Sequence, residues 1–152
     1  MKEFEKDNQV LVFERGGLNF AVPLSNVIKV IAAQEITPVA SINKHLSGII
    51  NYKGEIIPVI TLDNKFCLET KTLKVQDKII LTRYQDKPFA IIADNADQII
   101  SINVDSVTNM DERYTGLTKL SVADFENNII IIYDPSTIFS DTEIIGFIQS
   151  AS

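Results

Sequence analysis

Asp94 and Asp97 are the nearest this chain comes to a working pair of carboxylates. General acid–base chemistry, or the capture of a cation, needs two such groups at a set separation inside a pocket. These two instead bracket a turn between strand-like runs, where Asp94 or Asn95 is expected to bond local backbone N–H groups. His45 is the only histidine and lies beside Lys44 in a loop. It reads as a solvated loop residue, because the sequence places no nucleophile or orienting acid next to it. Cys67, the only cysteine, falls between Phe66 and Leu68 and reads as a small buried hydrophobe. One Cys and one His cannot by themselves make a structural zinc site. No G-x-S-x-G elbow, Walker loop, G-x-G-x-x-G or D-x-D-x-D-G calcium loop occurs, and Gly16-Gly17 is explained by a hairpin turn. The sequence therefore offers no catalytic constellation, and no cofactor or metal is expected.

The bulk properties narrow the remaining classes. The chain has 152 residues, 45% of them hydrophobic and 22% charged, with a net charge of −6. That length suffices for one domain, or two small subdomains on one core, burying about two-thirds of the unfolded surface. The acidic balance and dispersed Lys and Arg argue against nucleic-acid binding, which needs a concentrated basic face. A single cysteine forbids an internal disulfide and fits a reducing compartment. Met1 to Asn8 is charged and polar, unlike a secretory leader. No uncharged run approaches the ~18 residues that cross a bilayer. A cytoplasmic protein without direct membrane insertion is expected.

Short apolar runs broken by turn residues dominate the chain and predict a mainly β fold. Val10–Phe13 and Leu18–Val22 form a hairpin around Gly16-Gly17. Ser25 is positioned to cap a short helix, with Val27, Val30 and Ile31 at i, i+3 and i+4. The stretch 48–62 is a second hairpin, turning at Lys53-Gly54. The polar stretch 63–77 holds a turn of helix around Phe66 and Leu68 and is a natural place for a change of subdomain. Lys78–Tyr84, Phe89–Asp94 and Gln98–Ile102 read as consecutive strands, and 103–128 mainly as loop. Ile129–Tyr133 predicts a strand buried on both faces. Asp134-Pro135 marks a helix start, and Ser140 with Glu143 a capping box for a last helix. Eight to ten short strands must close into barrels or a sandwich to hide their edges. The grouping before Asp63 and after Asp77 favours two small barrels within a single 1–152 unit.

Several of these pieces, in this order, resemble CheW-like adaptor domains. The central hairpin is G-I-I-N-Y-K-G-E-I-I-P-V-I-T-L, from Gly48 to Leu62, and carries Gly48, Asn51, Gly54, Pro58, Val59 and Leu62. Val10-Leu-Val-Phe-Glu, Phe20-Ala-Val-Pro-Leu-Ser-Asn-Val, Ile36-Thr-Pro, Ile91-Ile-Ala-Asp94 and Ile131-Ile-Tyr-Asp134 are similar to family segments on either side. The resemblance covers residues 9–139. It implies two SH3-like five-stranded β-barrels sharing a hydrophobic interface, with short helices including one at the C-terminus.

It also implies a non-enzymatic adaptor coupling a chemoreceptor cytoplasmic tip to the regulatory domain of a CheA-type histidine kinase. Binding would use the groove between barrels and exposed strand edges. The implied partner-binding residues are Val27, Lys29, Val30, Asn51, Lys53 and Gly54. Three positions depart from the family pattern: Lys29 stands where an acid is usual, Lys53 where arginine is usual, and Thr61 where aspartate is usual. Arginine presents a planar fork that lysine cannot copy, so these changes bear on partner choice. A divergent scaffold in another motility or signalling pathway is the alternative, and a β-barrel enzyme or small-ligand binder a further one.

Overall fold

A computed structural model describes residues 8–40, 43–69, 72–110 and 120–151. Its strands are β1 (Gln9–Arg15), β2 (Leu18–Pro23), β3 (Val27–Ala32), β4 (Leu46–Tyr52), β5 (Glu55–Ile60), β6 (Lys78–Tyr84), β7 (Lys87–Ala93), β8 (Asn95–Ser101), β9 (Val107–Met110), β10 (Leu120–Phe125) and β11 (Asn128–Ile132). Two helices follow, α1 (Pro135–Ile138) and α2 (Asp141–Ser150).

The strands form a six-stranded sheet, β8-β1-β2-β11-β10-β9, and a five-stranded sheet, β3-β6-β7-β5-β4. Alternation along each strand sorts the side chains into three apolar layers. Val10, Ala21, Ile100, Ile130 and Ile132 cluster inside the first sheet. Ile50, Ile57, Val59, Ile79, Leu81, Ala90 and Ile92 cluster inside the second. The intervening residues, among them Leu11, Phe13, Phe20, Val22, Ile60, Ile80, Phe89 and Ile91, form a third cluster common to both sheets. Strands with both faces buried read as continuous apolar runs, which is why Ile79–Leu81 and Phe89–Ala93 show no polar alternation. The mainly β reading and the two barrels glued by a shared layer are thus borne out, with six and five strands.

Tight turns make the hairpins possible. Gly16 and Gly17 (φ +59° and +83°) join β1 to β2, and Lys53 and Gly54 (φ +53° and +87°) join β4 to β5. Positive φ at both central residues matches the turn to the strands' right-handed twist. Gly48 serves a close approach instead, since a Cβ there would lie 2.3 Å from the Thr37 carbonyl oxygen. Its bareness lets the segment after β3 cross to β4, where Thr37 and Ile49 exchange N–H···O bonds of 2.9 Å.

Four expectations are corrected. Val27–Ile31 is a strand, not a helix. A bulge between Val27 and Lys29 turns Val27 and Val30 to the same face, so their i, i+3 spacing imitates a helical one. The strands flanking 63–77, β5 and β6, belong to the same sheet, so sheet membership does not change there. The chain changes sheet between Pro23 and Val27 and again between Ala93 and Asn95. Within 103–128, β9 and β10 pair through Leu120 to Ala123, so this stretch is not mainly loop; 111–119 lie outside the described residues. Finally, β11 is not buried on both faces throughout, since Ile129 is 70% exposed and Ile131 only half-buried.

The helices close the shared layer. Asp134 caps α1, accepting from the Ser136 N–H at 3.0 Å with Pro135 in the first turn. Ser140 and Glu143 complete the capping box of α2. Capping fixes where α2 starts, and Ile144 and Phe147 then fall on its buried face. Phe147 meets Phe139 and Phe89 edge-on, with ring centroids 5.1 and 6.2 Å apart.

Candidate partner-binding surface

The six residues singled out in the sequence lie on the five-stranded sheet, in two groups. Val27 and Val30 face inward from β3 and pack, half-buried, against the shared layer. Lys29 is exposed on the same edge strand. Asn51, Lys53 and Gly54 come together at the β4–β5 turn, where the Asn51 side chain accepts the Gly54 N–H at 2.9 Å. The Lys53 Nζ lies 5.4 Å from the centre of the Tyr52 ring. β3 and β4 are opposite edges in hydrogen-bond order, with β6, β7 and β5 between them. The segment after β3 links the two edges, since the Gln34 amide donates to the Asn51 carbonyl at 3.3 Å. Among the described residues no ion pair holds Lys29 or Lys53. Lys29 and Lys53 thus add basic groups to an aliphatic base, with the exposed Glu55 beside the turn.

The strongest polar cluster was not singled out from the sequence. Arg15, 4% exposed at the end of β1, donates through Nε and Nη2 to both oxygens of Asp63, 1% exposed, each at 2.8 Å. Its Nη1 donates to Asp94 at 3.0 Å, and the other Asp94 oxygen accepts the Gly16 N–H at 2.9 Å. Asp63 follows β5 and Asp94 follows β7, so one guanidinium ties the first sheet to two strand ends of the second. The hydrogen bond that Arg15 donates to Asp63 is the main cause of the raised Arg15 pKa, against the opposing effect of burial. Asp94 thus bonds the distant end of β1, which corrects the expected local role. The signal that could have found the cluster is an arginine ending an apolar strand immediately before a glycine turn.

His45 is a second correction. It is 3% exposed, not solvated, and its Nε2 lies 2.9 Å from Glu143 Oε2. Its ring leans on Phe139 at 5.6 Å. Burial pushes the His45 pKa below the ordinary value, outweighing the pull of Glu143. Burial opposes the Glu143 carboxylate too, yet the Ser140 N–H, Lys65 and His45 together hold its pKa low. The Lys65 ammonium is 3.3 Å from Glu143 Oε1. This group fastens the start of α2 to the loop before β4. Beside it an open groove of about 750 Å³ runs between Lys44, His45 and the Ile145–Gln149 side of α2. Cys67 is exposed, with φ +56°, because the turn after β5 carries it outward while Phe66 packs against Phe20.

These side chains are committed to holding elements together. Among the described residues no group of three or more His, Cys, Asp or Glu is placed to hold a metal ion. No described helix is long and apolar enough to cross a membrane. Fold and surface together define an interaction module: two barrels locked through a common layer, with basic side chains on the edges of one.

Comparison with known proteins places this module. A family model described as the CheW-like domain matches residues 9–143. The chemotaxis protein CheW of Thermotoga maritima is 27% identical over 146 residues, covering 95% of this chain and 93% of that protein. The CheW proteins of Treponema pallidum and Bacillus subtilis are each 24% identical, covering 90% of this chain and 84% and 89% of theirs. The crystal structure of the scaffolding protein TtCheW from Thermoanaerobacter tengcongensis shares the fold, with a TM-score of 0.74 at 23% identity over 84% of each chain. The chain belongs to the CheW-like domain family, and the resemblance read from its sequence is borne out.

Proposed function

We propose that this protein is a cytoplasmic coupling adaptor in chemotaxis signalling, holding a chemoreceptor cytoplasmic tip and the regulatory domain of a CheA-type histidine kinase in one complex. The observation that carries this reading is the family match across residues 9–143, which spans both barrels and most of the layer joining them. The geometry supports it: a coupler must keep two binding surfaces in fixed relation, and the shared apolar layer and the Arg15 cluster do so. The protein brings no bond-making chemistry of its own; it works by position.

Within that reading, the β3 edge and the β4–β5 turn form the receptor-facing surface. Val27 and Val30 shape its base, Asn51 and Gly54 hold the turn, and Lys29 and Lys53 supply charge. Electrostatic complementarity governs partner choice and encounter more than raw affinity. Two lysines here select a partner that is acidic at the matching positions. Co-sedimentation with the cognate receptor and kinase tests this. Lys53→Glu is expected to lower receptor recovery several-fold while leaving the fold intact, because Lys53 is exposed on a turn. Undiminished recovery removes Lys53 from the surface.

A further inference from the structure

Among the described residues the two sheets have four edge strands, and three are guarded in their middle or along their length. β3 carries a bulge and the exposed Lys29. β4 is covered by the Thr37–Ile49 bridge. β9 is only four residues long. Bulges, charges, covering segments and shortness are the usual means of blocking unwanted strand pairing. β8 has seven residues, contains no Lys, Arg or Pro, and pairs only with β1 among the described residues. A bulge and the exposed Asp97 guard its first half, whereas Gln98–Ser101 runs regularly against Gln9–Val12 and is left open.

Backbone alternation shows what this edge offers. The Ile102 N–H donates to the Asn8 carbonyl, so Ile100 and Gln98 direct their backbone groups at β1. Ile99 and Ser101 then turn their N–H and C=O away from it. Ile99 is also 54% exposed and stands opposite Leu11 of the shared layer, so it carries that apolar seam out to the surface. Along its own stretch of chain the charge has one sign. From Asn95 to Met110 there are Asp97 and Asp105 and no Lys or Arg, and Glu14 lies exposed opposite Asn95.

We propose that β8 is a docking edge for an extended segment of another protein, one with an aliphatic residue flanked by Lys or Arg. The segment adds as a new strand, bonding the outward backbone groups of Ile99 and Ser101 and laying its aliphatic side chain on Ile99. Strand addition takes its affinity from main-chain bonds and its selectivity from alternate side chains. A second copy of this chain is disfavoured, because two such edges would bring Asp97 and Asp105 against their own kind. The surface is separate from the lysine-bearing edges of the other sheet.

The test uses the full chain and a labelled synthetic peptide of about ten residues alternating Lys with Val, long enough to span the strand. A matched peptide alternating Glu with Val is the control. Binding is read by fluorescence anisotropy and by amide hydrogen exchange. The Lys–Val peptide is expected to bind and to slow exchange at Ile99 and Ser101, and the Glu–Val peptide to bind at least tenfold more weakly. Ile99→Lys and Ser101→Pro are each expected to weaken binding at least tenfold. Ser101→Pro removes an outward donor that the fold does not use, so both variants keep the wild-type circular dichroism. The proposal is overturned by absent binding, by binding without protection of these amides, by equal binding of the two peptides, or by a dimer that Ile99→Lys dissolves.

Discussion

Two polar ties hold the shared apolar layer, and they are built on opposite electrostatics. Arg15 joins the two sheets as a permanent charge, with Asp63 bonded at two points and Asp94 at a third. His45 joins α2 to the body as an imidazole whose protonation burial disfavours, bonded to a carboxylate that Lys65 and the helix cap also contact. The first tie depends on complete pairing, since a buried charge is tolerated only while its partners remain. The second sits where burial works against charging the ring. Acidification is therefore expected to bear on the attachment of the terminal helix through His45.

The largest way to break this contrast is Asp63→Ala. It leaves the Arg15 guanidinium buried with only Asp94, and removing one partner of a buried pair costs about 3–5 kcal/mol. Urea unfolding should show a loss of that order. Replacing Arg15 by Met together with Asp63 by Leu should recover much of it, because the uncompensated charge disappears. A loss below about 1 kcal/mol in the single variant would mean that the tie is not the electrostatic keystone of the junction.

A smaller effect sharpens the second half. A histidine whose folded pKa lies below its ordinary 6.5 takes up fewer protons than the unfolded chain as the pH falls past that value. Its contribution to stability is complete above about 6.5 and is lost on acidification, by up to about 1.4 kcal/mol per pH unit while the folded ring stays neutral. Glu143, also held low, adds in the same direction at more acidic pH. Unfolding midpoints measured from about pH 7.5 to about pH 5 should fall in the wild type and fall less steeply in His45→Gln. Parallel slopes would place the titrating group elsewhere.

Local features were legible in the sequence and distant pairings were not. Gly16-Gly17, Lys53-Gly54, the Asp134-Pro135 cap and the Ser140–Glu143 box each depend on residues within a few positions, and each forms as expected. The bulge in β3 defeated the periodicity of Val27 and Val30, since a strand with one extra residue and a helical turn both align positions three apart. Arg15 meets partners 48 and 79 residues away, which no local pattern encodes. His45 was misplaced for the same reason: its partner on α2 lies 98 positions further along, and loop residues are ordinarily solvated. The division into sheets was hidden as well, because β2 and β11 pair in parallel from near the two ends of the chain. Of the candidate surface, the turn residues Asn51, Lys53 and Gly54 were found as a unit. Lys29 lies apart from them, on the opposite edge of the sheet.

The central claim is that this paired-barrel body couples two other proteins by position alone. The most direct measurement is sedimentation of receptor-bearing membranes with the CheA-type kinase, with and without the wild-type chain. Coupling predicts that the kinase pellets with receptor in proportion to added chain, and that the chain pellets with it. Kinase that pellets equally without the chain, or chain that stays in the supernatant with both partners present, would contradict it.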